Sequence, residues 1–383
     1  MREPRVTRIG IIGGGQLGRM LALEIHRFGL HVAIYDPDPD CPAAAVGHET
    51  VCGDFDDAEA IAAFCLARDV TTYEFENAGA DALLTAVERG AVVRPSPNVL
   101  AVCQDRAKEK GLFREQGFPC VEWALADSCE SLRTAVEKVG LPCVAKTTRF
   151  GYDGKGQIRL ASTNEVEHAW EALGCGAPLI VESWMSFDQE FSILVARGVN
   201  GETRVFPPTE NRHLHHILDV SIAPAHLPES VIKEASEIAA KLALAIGLEG
   251  LLAIECFYSE RNGLALNELA PRPHNSGHHT MESCVTSQFE QQLRAVCGLP
   301  LGATDLVQPA VMVNLLGELW QNGEPDWRPL LRVPGLALHL YGKHEARVGR
   351  KMGHFTVCAD TRDGALKTAM QVRSALRAGA SLE

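Results

Sequence analysis

No run in these 383 residues is apolar for long enough to cross a bilayer; the longest, about 247–257 and 310–316, fall well short of the roughly 20 residues that a spanning helix needs. A membrane span is therefore not expected. Residues 1–12 carry three arginines and run straight into a glycine-rich motif, without the apolar region and small-residue cleavage site of an export signal, so a cytoplasmic protein is expected. The 12 cysteines include no C-x-x-C pair and lie mostly in apolar segments, which suits reduced thiols used as small hydrophobes and supplies neither a disulfide framework nor a zinc site. His213, His215, His216, His278 and His279 lack a third ligand at supportive spacing, so they read as hydrogen-bonding groups. An excess of basic charge is missing too: the formal net charge of -13 repels nucleic acid as a whole. An anionic small substrate then requires a local cluster of Lys and Arg.

What is present begins with strands alternating with helices. Apolar runs at 8–12, 31–35 and 70–73 alternate with helical periods at 16–27, 58–67 and 80–89, which argues for a parallel α/β sheet ending at Pro95, Ser96 and Pro97. Helices are then expected over 99–116, 130–139 and 230–246, and strands over 143–147, 157–161, 179–182, 251–258, 264–269, 310–316 and 336–341, with a terminal helix.

Four features carry chemistry. The GGGQLG stretch at 13–18 lies between a strand and a helix, with Asp36 at the end of the next strand; this is a dinucleotide fingerprint, although amides at a helix N-terminus welcome any phosphate. Lys146 sits on a short strand followed by TRFGYDGKGQ (148–157), a glycine-rich hairpin tip able to fold over a polyphosphate. It is not a Walker A loop, because Lys155 is followed by Gly156 where Ser or Thr belongs. Glu255 and Glu268 lie on two apolar strands; a two-residue Asn262-Gly263 turn would set Glu255 opposite Ala270 and Glu268 opposite Phe257, as diagonal neighbours on one face able to share Mg²⁺. The donor-rich loop at 270–278 follows directly, where an anionic substrate would meet an activated phosphate.

Together these segments resemble the ATP-grasp superfamily and, within it, the 5-(carboxyamino)imidazole ribonucleotide synthases. The resemblance runs over about 8–355 and rests on GGGQLGRM (13–20), TYEFEN (72–77), QDR (104–106), AKTTRFGYDGKGQ (145–157), ECF (255–257), NELAPRPHNSGH (267–278) and GRKMGH (349–354). It implies an ATP-grasp fold of mixed α/β and α+β class. The first domain, 1–100, would be a Rossmann-like pre-ATP-grasp parallel α/β unit; 101–305 the ATP-grasp domain, with a mobile lid over about 118–190; and 306–383 a small C-terminal domain.

For the nucleotide, the resemblance implies phosphate contacts from Arg106 and Lys146 and a flap of Gly151, Tyr152, Asp153, Gly154, Lys155, Gly156 and Gln157. Glu182, Ser183, Trp184 and Met185 would form the adenine hinge, with Glu190 on the ribose and His213 and Asn267 as further ATP contacts. Glu255 and Glu268 would hold Mg²⁺. Gln16, Leu17, Glu76, Tyr152, Arg272, His274, Asn275, Ser276, Arg350 and Lys351 would contact the ribonucleotide and bicarbonate, with Lys146, Tyr152, Asp153, Arg272 and Asn275 closest to the chemistry. The implied activity is ATP- and bicarbonate-dependent carboxylation of 5-aminoimidazole ribonucleotide through carboxyphosphate, in a cytoplasmic homodimer. Phe150 departs from the glycine many members carry there, and Ser183-Trp184 from the usual hinge. Another ATP-grasp ligase, a dehydrogenase built on the first glycine motif and a non-catalytic nucleotide sensor remain as alternatives.

Overall fold

The alternation in the first hundred residues closes into a four-stranded parallel sheet in the computed structural model, which describes residues 6–76, 78–151, 155–174 and 177–378. Its strand order is Glu49–Cys52, His31–Asp36, Arg8–Ile12, Val70–Tyr73. Arg8–Ile12 has parallel neighbours on both sides, which makes its carboxyl end the point where an open α/β sheet offers a crevice. Helices cover both faces, so Ile9, Ile11 and Ile12 are all fully buried and the strand shows no polar alternation.

A second, antiparallel sheet runs Trp123–Ala126, Leu179–Ser183, Cys143–Thr147, Gln157–Leu160. Side chains alternate across it. Cys143 and Ala145 join Leu132, Val136, Val166 and Ala169 of two covering helices, while Val144 and Lys146 face the opposite side. The third sheet has nine strands, with Gly263–Ala270 at one edge, then Gly250–Ser259 and Gln189–Arg197. Its far end is built from Ala310–Leu316, Lys351–Cys358 and Leu336–Leu340, covered by the Arg362–Ala378 helix, whose Arg362 and Arg373 pair with Glu210 and Asp219. Among the described residues no helix is long and apolar enough to cross a membrane.

Two expectations are corrected. The helix expected over 99–116 is two helices, Pro97–Cys103 and Arg106–Gln116, because the Asp105 carboxylate caps the second by accepting from the Ala107 and Lys108 amides at 2.9 and 3.4 Å. The 259–263 turn is also different. Ser259 pairs with Gly263, so the loop is the three residues 260–262, and Gly263 adopts φ +74°. A bulge then follows between Glu255 and Cys256 on one strand and Glu268 and Leu266 on the other, which leaves Asn267 as the extra residue. As a result Glu255 and Glu268 stand directly opposite each other, instead of diagonally.

The strands over 189–223 and Lys351–Cys358 were not singled out from sequence. The first and last of these, Gln189–Arg197 and Lys351–Cys358, are buried on both faces and show no period-two alternation.

Gly263 has no neighbour within 4 Å of an added Cβ, so a substitution there tests backbone conformation alone. Gly263→Ala should lower stability by about 1 kcal/mol through the left-handed backbone, and Gly263→Asn by less. Urea denaturation midpoints of the three proteins check this; equal midpoints would mean that the turn is not left-handed at 263.

Candidate active site

The three sheets face one cavity of about 1060 Å³. One wall is the second sheet. Lys146 donates to Glu182 Oε2 at 2.7 Å, and both side chains are largely out of solvent. Burial alone would raise the Glu182 pKa, but the positive charges of Lys110 and Lys146 prevail and hold it down to about 2. Beyond it lie Ser183, Trp184 and Met185; the Ser183 and Trp184 amides are engaged by the Glu122 and Pro142 carbonyls at 2.9 and 3.0 Å. Gln157 completes this wall.

The facing wall comes from the hairpin. Leu252, Ile254 and Cys256 pack on the Glu229–Ala245 helix, so alternation sends Glu255 and Phe257 into the cavity. Glu190 lies there too, paired with His213 Nδ1 at 2.9 Å. Burial works to lower the His213 pKa, yet the hydrogen bond and charge of Glu190 leave it raised. Burial, followed by the charges of Glu268 and Glu190, pushes Glu255 well above the ordinary carboxylate range. These two opposed carboxylates, with Asn267 beside them, are a hard oxygen donor set that fits Mg²⁺. Arg106 binds the Thr147 and Gly151 carbonyls at 3.2 and 3.0 Å and lies 3.9 Å from Glu268.

Toward the first domain, Arg272 pairs with Glu76 at 2.6 Å. His274 Nδ1 receives the Ser276 amide at 3.4 Å and lies 2.8 Å from the Ser276 hydroxyl, so its proton sits on Nε2, 3.3 Å from Glu255 Oε1. Burial, then the charges of Arg272 and Lys351, keep that imidazole neutral. Ser276 is fully buried behind it against the Ser192 hydroxyl at 2.6 Å and does not line the cavity. Asn275 does, and both atoms of its buried amide head lack a hydrogen-bond partner.

Gln16, Leu17 and Lys351 also line the cavity, whereas Arg350 does not and donates to the Glu345 carbonyl at 2.9 Å. The glycine motif is occupied from within: the Gly14 and Gly15 amides donate to Asp36 at 2.6 Å and to Glu74 at 2.7 Å. Tyr152, Asp153 and Gly154 of the expected flap, and Asn77, lie outside the described residues. Gly151, Lys155 and Gly156 flank that gap, with the Gly156 carbonyl accepting from Thr147 at 2.9 Å. Phe150 is exposed, at φ +63°.

Several neighbours were not singled out from sequence. Phe187 and Phe257 stack in the cavity at 4.5 Å and 10°. Lys343 reaches Gln16 Oε1 and the Lys351 carbonyl at 2.5 and 2.8 Å; burial, then repulsion from Arg350, lowers its pKa to about 8. Glu109 and Lys110 follow Arg106 at helical spacing, which was the available signal for them.

Family models match the chain as a ribonucleotide synthetase preATP-grasp domain over 6–104, an ATP-grasp domain over 111–289 and a phosphoribosylaminoimidazole carboxylase C-terminal domain over 310–368. The N5-carboxyaminoimidazole ribonucleotide synthase of Bacillus subtilis is 44% identical over 355 residues, covering 93% of this chain and 92% of that protein. The chain belongs to the N5-carboxyaminoimidazole ribonucleotide synthase family. The bifunctional purine synthesis protein purC/E of Dictyostelium discoideum is 41% identical over 92% of this chain, which spans 37% of that longer protein. Among solved structures, the N5-carboxyaminoimidazole synthase of Aspergillus clavatus in complex with ADP and 5-aminoimidazole ribonucleotide superposes with a TM-score of 0.88 at 31% identity, covering 97% of this chain and 99% of that one.

In this family member the Lys146–Glu182 pair has a definite pH signature. The folded Glu182 value of about 2 lies below the ordinary 4.5, so its stabilisation is present above pH 4.5 and is lost as pH falls toward 2. Glu182→Gln should cost about 3 kcal/mol at neutral pH by leaving the largely buried Lys146 ammonium without its counter-charge. Urea denaturation of parent and variant across this pH range should show the difference shrinking with acidity; a pH-independent difference would contradict the assignment.

Proposed function

We propose that the cavity binds MgATP between the Lys146 wall and the 250–270 hairpin, and bicarbonate with 5-aminoimidazole ribonucleotide at the end nearer the first domain. The chain then makes N5-carboxyaminoimidazole ribonucleotide, ADP and phosphate. The observation that carries this reading is the direct opposition of Glu255 and Glu268 on the wall facing Lys146, with Arg106 3.9 Å from Glu268. Family membership supplies the product, and the cytoplasmic homodimer is likewise part of the reading drawn from the family.

In this reading a bicarbonate oxygen attacks the γ-phosphorus while the bond to the β,γ-bridging oxygen breaks. Carboxyphosphate and ADP result. The ribonucleotide amine next forms its C–N bond to the carboxyl carbon, of carboxyphosphate itself or of CO2 released from it; the C–O bond to phosphate breaks, and the amine loses a proton. Lys146 and Arg106 supply positive charge to the phosphates, while the backbone of 182–185 and the stacked Phe187 and Phe257 surround the base. Glu190 and His213 hold the ribose. Glu255 and Glu268, beside Asn267, are the residues for Mg²⁺, which when bound draws charge from the transferred phosphoryl group.

Arg272 and Asn275 hold the bicarbonate, and the unpartnered Asn275 amide supports this role because it can donate and accept at once. Helix geometry leaves the Gln16 and Leu17 amides without partners inside their helix, which suits an anionic end of the ribonucleotide next to Lys351 and Lys343. Tyr152, Asp153 and the rest of the 151–157 segment are read as the flap that keeps water from carboxyphosphate.

Phosphate release from MgATP, measured with and without 5-aminoimidazole ribonucleotide in bicarbonate-supplied and bicarbonate-depleted buffer, tests the reading. Release should need both. Glu255→Gln should lower turnover by about 100-fold or more, the equivalent of a few kcal/mol of transition-state stabilisation, with circular dichroism unchanged. Release independent of the ribonucleotide or of bicarbonate would send the search to another acid and acceptor.

A further inference from the structure

Lys and Glu are rarely buried without compensation, yet adjacent Glu109 and Lys110 are each only 1% exposed. Neither lines the cavity. Both lie on the first turns of the Arg106–Gln116 helix, on the face that meets the outer edge of the Gly263–Ala270 strand. An edge strand presents backbone N–H and C=O groups with no strand to pair them, and inside a protein those groups must find other partners.

Here the partners are specific. The Leu266 amide donates to the Pro119 carbonyl at 2.8 Å. Lys110 Nζ donates to the Asn267 carbonyl at 2.6 Å and the Leu266 carbonyl at 3.4 Å, and Glu109 Oε2 accepts from the Leu269 amide at 2.8 Å. The two side chains therefore grip the strand on either side of Glu268, at the bulge.

That bulge decides where Glu268 points. The turn pairs Ser259 with Gly263, and this register carried on unbroken would set Glu268 opposite Ile254, whose side chain lies in the core against the Glu229–Ala245 helix. The extra residue turns Leu269 to the core and Glu268 to the cavity, opposite Glu255. We propose that Glu109 and Lys110 are positioning residues that clamp the bulge at Asn267 and so hold Glu268 and Asn267 in place for the metal and nucleotide. This rests on reading the cavity as the MgATP site. A purely structural role is poorly served by two buried ionisable groups, since apolar side chains of similar volume stabilise a core as well or better; they cannot, however, donate to Asn267 or accept from Leu269.

The test compares Glu109→Gln, which keeps an acceptor for the Leu269 amide, with Glu109→Leu, which has none, and adds Lys110→Met. Mn²⁺ binding is followed by electron paramagnetic resonance with a non-hydrolysable ATP analogue present, ADP binding is measured in EDTA, and kcat and KM for MgATP are determined. Glu109→Leu and Lys110→Met should weaken Mn²⁺ binding and lower kcat by roughly 10- to 100-fold, the range for residues that orient metal ligands. Metal-free ADP binding should change much less, and Glu109→Gln should restore most of the loss. Glu109→Leu with parental Mn²⁺ affinity and kcat, and only reduced thermal stability, overturns the clamp, as does a Gln variant as impaired as the Leu variant. A parent that binds no Mn²⁺ with nucleotide overturns the reading of the cavity, and the clamp with it. Should Lys110→Met fail to fold, the Glu109 pair still decides between these outcomes.

Discussion

One extra residue in one strand, Asn267, is the constraint around which this cavity is organised. Side chains alternate with a period of two, so a one-residue slip exchanges the faces of everything beyond it. Before the bulge, Leu264 and Leu266 belong to the core with Val195 and Leu252; after it, Leu269 does, and Glu268 is released to the other side. A carboxylate directed at Ile254 and Leu242 would be costly to bury. Directed at Glu255, it becomes half of a donor pair that, in our reading, holds the cation.

The electrostatics of the site follow from that pairing. The chain as a whole is acidic, with a net charge of -13, yet the proposed ligands are anions. The cavity reconciles the two by engaging its carboxylates locally: Glu182 with Lys146, Glu76 with Arg272, Glu190 with His213. Each pair holds a cation or donor in a fixed place without presenting a full positive charge, and an incoming phosphate can compete for it. The Glu255–Glu268 pair differs in setting acid against acid, with Arg106 3.9 Å from Glu268. The neutral His274, with Nε2 3.3 Å from Glu255 Oε1, adds no positive charge there. Two carboxylates are thus gathered where, in our reading, a divalent ion binds.

Much of this was legible in the residues. The parallel first sheet, the Lys146 strand, the strands of the hairpin and the shared face of Glu255 and Glu268 all follow from periodicity. For the two glutamates the correct face comes from two departures that offset each other: the expected 262–263 turn sets the register three residues away from the observed Ser259–Gly263 pairing, and the bulge, of which the residues give no sign, brings it back by one, so the face is kept. Nothing in LALNELA distinguishes a bulged strand from a regular one, because the clamp that selects it lies about 160 residues earlier in the chain. The break at Asp105 was hidden for a related reason: the apolar period continues across it, and only the Asp side chain, read as a cap, marks the boundary. Gln189–Arg197 was invisible because burial on both faces removes the alternation that betrays a strand.

The glycine motif shows where pattern and chemistry part. Residues 13–18 have the spacing of a dinucleotide loop, and the helix that follows offers its N-terminus. Yet an anion already holds each of the Gly14 and Gly15 amides: Asp36, which in a dinucleotide site would be expected to face a ribose, takes the first, and Glu74 takes the second. Two carboxylates at the mouth of the loop repel a pyrophosphate, so the motif does not serve as a dinucleotide site. The glycines are still required. A Cβ on Gly15 would meet Glu74 at 2.7 Å, and one on Gly18 would meet the Gly13 carbonyl at 2.5 Å. Closing the loop around its own acids brings the strand ends together and moves the open amides on to Gln16 and Leu17, which face the shared cavity. A nucleotide-binding turn has in this way become the rim of a site whose nucleotide, in our reading, lies on the far wall.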